Sequence, residues 1–355
     1  MSHTTAHPPE IGPLEVEQLS GTRLGRYRLE KLLGHGNRAS VYQAKDITTW
    51  QTVAIRVLDA DLSADRAFVE RYRQTIDRLA EARHPNLLPI LDRDEHEGLV
   101  YTVRPLVAGT TLRDQLGQPR PLGDVLRLFL PIAEALDYAH ARGLIHGDLK
   151  PGSILLPLPD QPLVADFGLA QAFPQGNSFI ATARGDHLGT PEYISPEQGC
   201  GAQFDKRADL YALGVMLYEA IVGRPPFRAE SSADTARTIV MAHVTTPPPP
   251  PCTLLPSLNP AVEQVLLRAL AKRPAERYPS GVALCAALAE AEGLPFTVDL
   301  VALGDGSADP GSDYTASDAH YISHRPSRTR PQWQITVALV VMGMALLFLA
   351  LLVTH

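Results

Sequence analysis

Alternating apolar and polar positions dominate residues 27–107 of the chain. Within this region, apolar residues recur at spacings of three and four over one stretch, which predicts one amphipathic helix. These residues are Phe68, Tyr72, Ile76 and Leu79. The remaining runs are rich in β-branched residues and predict antiparallel strands. They are RYRLEKLLG, SVYQAKD, TVAIRVLD and GLVYTVRPLV. The first part of the chain is therefore predicted to be a small sheet with one helix.

The pattern changes to helical spacing in the following part of the chain. In the stretch DVLRLFLPIAEALDYAHARG, Leu126, Leu130 and Leu136 share one face, and Gly143 is the predicted C-terminal cap. A later stretch, DLYALGVMLYEAIVG, is apolar on almost every side, which predicts a buried central helix. Two further amphipathic helices are predicted, in AVEQVLLRALAK and GVALCAALAEA. The proline run TTPPPPPC predicts a stiff, extended connector.

These patterns predict an α+β domain over residues 27–292, with a β-rich N-lobe (27–107) and a larger helical C-lobe (108–292). Residues 1–26 are polar, contain three prolines and have no clear period, so we predict a disordered arm. Residues 293–332 are rich in Gly, Ser, Asp and Pro, which predicts a disordered juxtamembrane linker.

An uncharged apolar run lies near the C-terminal end. Residues 335–353 contain no charge over 19 positions, which is long enough to cross the hydrocarbon core of a bilayer. Trp333 stands at the edge of this run, where an indole prefers the membrane interface. We therefore predict a transmembrane helix over residues 333–353; the alternative for such a run is a buried core helix.

The flanks of this span predict its orientation. Arginines precede it and none follows it, so the positive-inside bias predicts a single-pass protein of the cytoplasmic membrane with residues 27–292 in the cytoplasm. Two residues follow the span, so we expect no external sensor domain, and the N-terminal end lacks the features of a signal peptide. Gly343 within the span leaves homodimerisation open. The arginines are Arg325, Arg328 and Arg330.

Composition narrows the class of partner. The formal net charge of -7 argues against nucleic acid as the main partner. The three cysteines, Cys200, Cys252 and Cys285, have no paired spacing, so neither a disulfide framework nor a zinc site is expected.

A glycine-containing turn is the first stretch that points to chemistry. Gly34 and Gly36, followed by Val41, fit the pattern G-x-G-x-x-G-x-V, except that Ala39 replaces the third glycine. Backbone amides in such a turn can surround phosphates, because glycine lets the chain come close. Two spaced glycines also occur in ordinary hairpins, so this motif alone leaves both interpretations open.

The motifs that follow are more specific. In LIHGDLKPGSILL, His146, Asp148, Lys150 and Ser153 are spaced as H-x-D-x-K-x-x-S. Then come, in this order, ADFGLA, GTPEYISPEQ, RADLYALGVMLYEAIVGRPPF and AKRPAERYPS. The order and separation of these motifs match the protein-kinase signature set. Over residues 27–292 the chain resembles the bacterial Hanks-type serine/threonine protein kinases, a family in which membrane-anchored members also occur.

The resemblance implies the two-lobed protein-kinase fold, with ATP and Mg²⁺ (or Mn²⁺) as cofactors. Asp148 would orient and deprotonate the substrate hydroxyl, Lys150 would hold the γ-phosphate, and Asp166 would bind the metal. Ser153 stands at the position of the second metal ligand. The positions implied to bind ATP are Leu33, Gly34, Gly36, Val41, Ala54, Arg56, Pro105, Val107 and Leu155.

The resemblance also implies two structural contacts. Asp209 would brace the loop around Asp148 through backbone amides. Glu197 and Arg277 would form a buried ion pair in the C-lobe; the alternative is a charge pair on the surface.

Three departures from the family pattern fall in the N-lobe. Arg56 replaces the phosphate-holding lysine, and a wide planar fork is not equivalent to a compact ammonium. Thr75 stands where the helix glutamate is expected, so the usual Lys–Glu ion pair cannot form. Arg104 aligns with the gatekeeper before the hinge, where a charge is costly unless it finds a partner. Arg38 or Lys45 are candidates to supply charge to the phosphates.

Two more departures lie in the C-lobe. Gly147 replaces the arginine that normally receives an activation-loop phosphate, so Ser178 and Thr182 lose that expected partner. Ser153 replaces the asparagine that holds the second metal, and a hydroxyl is a weaker oxygen ligand than an amide carbonyl.

Two main functional hypotheses follow. The first is a membrane-anchored serine/threonine protein kinase that transfers the γ-phosphate of ATP to a protein substrate, with weak activity. The second is a pseudokinase that acts as a membrane-tethered protein-binding or nucleotide-sensing module for a docking partner. A third hypothesis, an anchored structural protein without a nucleotide site, is disfavoured by the glycine-containing turn and the DFG motif.

Overall fold

The N-lobe is a six-stranded antiparallel sheet with two helices. The computed structural model describes residues 19–36, 38–173, 190–230 and 235–296. The strands of this sheet lie in the order β1-β2-β3-β4-β6-β5. They are β1 (Arg23–Leu24), β2 (Tyr27–His35), β3 (Ala39–Asp46), β4 (Thr52–Leu58), β5 (Asp92–His96) and β6 (Leu99–Pro105). The helices are α1 (Ala60–Ala64) and α2 (Arg66–Glu81).

The register of this sheet places the residues of the predicted ATP site in rows. Gly34 on β2 lies opposite Val41 on β3, Val41 lies opposite Arg56 on β4, and Arg56 lies opposite Thr102 on β6. Neighbouring strands are about 4.8 Å apart, so Arg56 lies about 10 Å from the glycine-containing turn.

Helix α2 forms where the periodicity predicts it. The Asp65 carboxylate caps its N-terminus by accepting hydrogen bonds from the amides of Ala67 and Phe68, both at 3.0 Å. The side chains of Phe68, Tyr72 and Ile76 are fully buried on its inner face. The short strand β5 and helix α1 are not among the predicted elements, since neither has a long periodic pattern.

The prediction of a disordered arm over residues 1–26 is wrong for residues 19–26. Leu19 and Leu24 are buried, β1 pairs with the start of β2, and the Leu19 amide donates to the Tyr42 hydroxyl at 3.3 Å. These two leucines contribute apolar surface to the N-lobe core, which is sufficient to order a short polar stretch. Residues 1–18 lie outside the described part of the chain.

The C-lobe is mainly helical and carries a small three-stranded sheet in the order β7-β8-β9. Its strands are β7 (Thr110–Thr111), β8 (Ile154–Leu158) and β9 (Gln161–Val164). Its helices are α3 (Leu122–Ala141), α4 (Leu169–Ala172), α5 (Pro196–Gly199), α6 (Lys206–Val222), α7 (Ala236–Thr245), α8 (Pro251–Leu254), α9 (Pro260–Ala269) and α10 (Gly281–Glu292).

The predicted helices of this lobe are confirmed. Helix α6 is buried on all sides, and Gly143 follows α3 with a φ of 69°, the left-handed conformation of a C-terminal cap. The proline connector is shorter than predicted because α8 begins at Pro251, a first helical position where a missing N–H costs nothing.

The C-terminal boundary agrees in part with the prediction. Helix α10 ends at Glu292 and Gly293 caps it with a φ of 69°. Leu294 and Phe296 still pack against the C-lobe core, so the domain continues to at least Phe296. No helix in the described ranges is both long enough and apolar enough to cross a membrane. The predicted span at 333–353 lies outside those ranges and stays a prediction.

Glu197 and Arg277 form the predicted buried ion pair. Arg277 Nη1 and Nη2 each donate to one carboxylate oxygen of Glu197 at 2.7 Å, and the Arg277 side chain is 1% exposed. Arg277 also donates to the carbonyl oxygens of Arg207, Ala271 and Lys272. This guanidinium therefore joins the α5 segment to the start of α6 and to the loop after α9.

Replacing Arg277 by alanine should destabilise the protein by about 3–5 kcal/mol, because Glu197 would be left as an unpaired charge in the interior. Chemical denaturation of the purified chain measures this loss. The matched control is Arg127→Ala, since Arg127 is 69% exposed and pairs with Asp124 at the surface. It should change the free energy of unfolding by less than about 0.5 kcal/mol. Equal effects of the two substitutions would contradict a structural role for the buried pair.

Candidate active site

The loop of residues 146–153, which the family resemblance implies to be the catalytic loop, is held by a carboxylate from α6. Asp209 accepts hydrogen bonds from the amides of His146 at 2.8 Å and Gly147 at 2.7 Å, and it lies 2.8 Å from Nε2 of His140. Burial by itself would raise the pKa of Asp209, but these hydrogen bonds and the neighbouring histidines lower it. The predicted bracing role of Asp209 is therefore confirmed.

Asp148 and Lys150 lie together on this loop. Lys150 Nζ donates to Asp148 Oδ2 at 2.6 Å, and both side chains are partly exposed. His146 Nε2 lies 2.8 Å from the carbonyl oxygen of Ala165, which ties the loop to the DFG segment. A carboxylate and an ammonium are thus presented side by side on a rigid support, at the predicted positions.

Asp166 of the DFG segment is contacted by two arginines of the N-lobe sheet. Arg56 Nη1 donates to Asp166 Oδ1 at 3.2 Å, and Arg104 Nη1 donates to the same oxygen at 3.0 Å. Burial would raise the pKa of Asp166, but the charges of Arg56 and then Arg104 outweigh it and lower the pKa to about 2. The partner that the charge of Arg104 required is Asp166.

The two guanidinium groups differ in their surroundings. The Arg104 side chain is only 6% exposed, and burial together with the like charge of Arg56 lowers its pKa. Burial acts on Arg56 in the same direction, but Asp166 and nearby acidic groups raise its pKa overall. Arg104 is therefore the more costly charge, and it depends on Asp166 as its counter-ion.

Thr75, at the position expected for the helix glutamate, lies on the inner face of α2 beside the glycine of the DFG segment. Its side chain is buried, and its hydroxyl donates to the carbonyl oxygen of Arg71 at 3.1 Å. A Cβ atom built on Gly168 would lie 3.3 Å from Thr75 Cγ2. Thr75 thus fills space by packing, and it offers no charge to Arg56.

Gly168 opens the four-residue helix α4, which the sequence does not predict. Gly168 has a φ of 100°, and the carbonyl oxygen of Ala172 accepts a hydrogen bond from Arg71 Nε at 2.6 Å. Four residues are too few for a periodic pattern, so no sequence signal could have identified this helix. It packs against α2.

Gly147 leaves no room for the arginine that the family carries there. It has a φ of 73°, and a Cβ atom at this position would lie 2.6 Å from Cβ of Ala170 on α4 and 3.3 Å from Cε2 of Phe204. The left-handed backbone and the close packing therefore both require glycine at position 147. Ser178 and Thr182 lie outside the described residues.

The implied ATP positions are distributed over both lobes. Leu33, Gly34 and Gly36 are exposed at the end of β2. The other positions are partly buried: Val41 on β3, Ala54 and Arg56 on β4, Pro105 at the end of β6, Val107 just after it, and Leu155 on β8. The register places Ala54 directly opposite Arg104, so the gatekeeper arginine borders this row.

The two suggested sources of extra charge are engaged elsewhere. Arg38 Nη1 pairs with Asp61 at 2.9 Å, and Lys45 Nζ lies 3.4 Å from the Thr52 hydroxyl. The cation that joins Arg56 at Asp166 is Arg104, for which the sequence predicted a need for a partner but did not identify one.

The donor set does not fit the pair of divalent cations that the family implies. Oδ1 of Asp166 is taken by two guanidinium groups, and Ser153 is fully buried with its hydroxyl 3.5 Å from the carbonyl oxygen of Asp148. We therefore assign no chemical step to Mg²⁺ or Mn²⁺.

The two lobes, the braced loop and the DFG segment define a protein kinase domain. The family described as "Protein kinase domain" matches residues 27–287. The chain therefore belongs to the protein kinase family, and its relatives are bacterial serine/threonine protein kinases of the Hanks type.

Among those relatives, the chain is 38% identical over 285 residues to the serine/threonine-protein kinase Pkn1 of Myxococcus xanthus. This match covers 78% of this chain and 40% of Pkn1. It is 36% identical over 273 residues to PknH of Mycobacterium tuberculosis, covering 76% of this chain and 42% of PknH. The chain thus matches less than half the length of these two relatives.

A solved structure supports the fold. The PknI kinase domain of Mycobacterium tuberculosis superposes with a TM-score of 0.59 at 30% identity, covering 77% of this chain and 98% of that domain. The kinase fold predicted from the motifs is confirmed.

Replacing Gly147 by alanine should destabilise the protein by about 1–3 kcal/mol, because the new Cβ atom meets Ala170 and the backbone is left-handed. Thermal unfolding measures the loss. Gly152→Ala, in the same loop but with open space around its Cβ position, should change the stability by less than about 1 kcal/mol. If Gly147→Ala is as stable as Gly152→Ala, the packing of α4 against the catalytic loop is not as described.

Proposed function

We propose that this chain binds ATP and slowly transfers its γ-phosphate to serine or threonine of a protein substrate. The observation that carries the proposal is the Asp148–Lys150 pair at 2.6 Å, on a loop braced by Asp209. Phosphoryl transfer depends mainly on positioning and charge stabilisation, and these residues provide both.

Each of the two residues has a separate task in this proposal. The Asp148 carboxylate orients the substrate hydroxyl and accepts its proton. The Lys150 ammonium balances negative charge on the transferred group and leaves Asp148 when the phosphate enters. A braced loop keeps the two side chains in place without reorganisation, which is where the catalytic advantage of a preorganised site lies.

Transfer is expected to be slow because Asp166 is held by Arg56 and Arg104. Losing one comparable electrostatic contact lowers the rate by about 10²–10³. Turnover should therefore fall about 10²–10³ below the roughly 1–100 s⁻¹ that is common in protein kinases.

The contact between Asp166 and the two arginines also favours a second candidate function. A nucleotide-binding pseudokinase needs a nucleotide site but not the transfer step, and an Asp166 carboxylate that is paired with two arginines is compatible with that role. In this role the domain would dock a protein partner, and nucleotide would regulate the docking.

We also propose that the chain is anchored in the cytoplasmic membrane with the kinase domain in the cytoplasm. The support is the uncharged run at 335–353 and the arginines that precede it. Anchoring would keep the domain near partners at the inner membrane face.

Intact-mass analysis tests the transfer proposal. The full chain, purified in mild detergent, is incubated with ATP and either Mg²⁺ or Mn²⁺. We expect added phosphate units that disappear in Asp148→Asn, because the proton acceptor is lost. Asp160→Asn, in the exposed turn between β8 and β9, serves as the matched control and should keep the gain. No gain in the wild-type chain with either metal, while ATP still binds, would favour the pseudokinase.

Extraction of cell membranes at alkaline pH tests the anchor. The wild-type chain should stay in the membrane pellet. Met344→Arg combined with Leu347→Arg should release it, since each arginine near the centre of a span costs about 2.5–3.5 kcal/mol on insertion. Gln332→Arg, just before the span, should have no effect. A wild-type chain found wholly in the supernatant would contradict the anchoring proposal.

A further inference from the structure

Arg104 has more hydrogen-bond donors than the described residues satisfy. Arg104 Nη1 donates a hydrogen bond to Asp166. Its Nε and Nη2 atoms are buried and have no partner within the described ranges. Buried donors without acceptors are rare and costly in native proteins. These two groups therefore point to an acceptor-rich ligand.

The neighbourhood of Arg104 contains more groups of this kind. The hydroxyls of Thr102 and Tyr72 are also buried without a partner in the described part of the chain. Thr102 and Arg104 are two positions apart on β6 and so share one face of the sheet, and Thr102 lies opposite Arg56. Tyr72 lies within electrostatic range of both arginines. Buried donors without a partner in the described ranges thus concentrate on one face of the N-lobe sheet and on the side of α2 that packs against it.

The charged side chains around Asp166 carry more positive than negative charge, which also favours an anionic ligand. Arg56, Arg104 and Lys150 contribute three positive charges, against the two carboxylates of Asp148 and Asp166. A divalent cation that approached Asp166 would also approach both guanidinium groups. An anion with several oxygens would instead be attracted by both guanidinium groups, because guanidinium groups bind phosphate oxygens in a bidentate manner.

We propose that the cleft binds the triphosphate of ATP as the metal-free anion, with Arg56 and Arg104 supplying the counter-charge that a divalent cation supplies in other kinases. This inference rests on the proposed function, since it requires ATP in the cleft. The strand register supports it: Arg56 lies in the same row as Gly34 and Val41, under the turn whose amides would surround the phosphates. Arg104 lies beside Ala54 in the next row on that face.

The first test is the affinity of the full chain for ATP, measured by calorimetry in mild detergent with EDTA or with Mg²⁺. The expected dissociation constants agree within about threefold. Binding that is more than about tenfold weaker in EDTA would overturn the inference and leave the proposed function standing. No ATP binding under either condition would overturn both.

Substitutions test whether Arg104 and Arg56 are the residues that bind metal-free ATP. Arg104→Met keeps a long, uncharged side chain and should weaken ATP binding in EDTA by at least about tenfold. Arg56→Gln should do the same. Arg127→Met, on the exposed surface of α3, is the control and should bind ATP as the wild-type chain does.

Adenosine separates recognition of phosphate from the shape of the base pocket. It lacks phosphate, so Arg104→Met should leave its affinity within about threefold of the wild-type value. If Arg104→Met weakens adenosine and ATP by the same factor, Arg104 shapes the base pocket, and its assignment to the triphosphate is overturned.

Discussion

One oxygen atom of Asp166 accepts hydrogen bonds from two guanidinium groups, and the arrangement of the cleft depends on this contact. Arg56 and Arg104 come from neighbouring strands of the N-lobe, whereas Asp166 follows the small sheet of the C-lobe. A buried charge without a partner costs far more than a paired one, so the two buried guanidinium groups depend on the partly exposed carboxylate of Asp166. The gatekeeper arginine, unfavourable in isolation, is accommodated because the DFG carboxylate neutralises it.

Two of the departures from the kinase pattern, Thr75 and Gly147, are related through helix α4. Thr75 packs beside Gly168, where this helix begins, and Gly147 leaves the space that Ala170 occupies within it. Arg71 of α2 donates to the last carbonyl oxygen of the same helix. A glutamate at position 75 would bring a charge into this apolar contact, and any side chain at position 147 would displace Ala170. The replacements at positions 75 and 147 thus belong to one packed arrangement of the DFG segment.

The supports of the catalytic loop follow the family pattern throughout. Asp209 holds the loop amides, and Arg277 joins Glu197 to three backbone carbonyls of the C-lobe. The conforming residues Asp209, Glu197 and Arg277 hold the C-lobe scaffold, whereas the altered residues Arg56 and Arg104 contact Asp166. A braced loop that carries Asp148, combined with two arginines at Asp166, is compatible with the proposed slow transfer and with nucleotide sensing.

The sequence by itself determined the two lobes, their longer helices and strands, and the order of the kinase motifs, because periodicity and local spacing are properties of neighbouring residues. It also identified Thr75 and Gly147 as departures and Asp209 as the brace. Only the tertiary structure decided the partner of Arg104, which is 62 positions away from Asp166 along the chain. It likewise decided that residues 19–26 are ordered and that α4 forms. The physical reason is common to all three: charge pairing and burial of short segments depend on groups brought together by folding, and no local pattern encodes them.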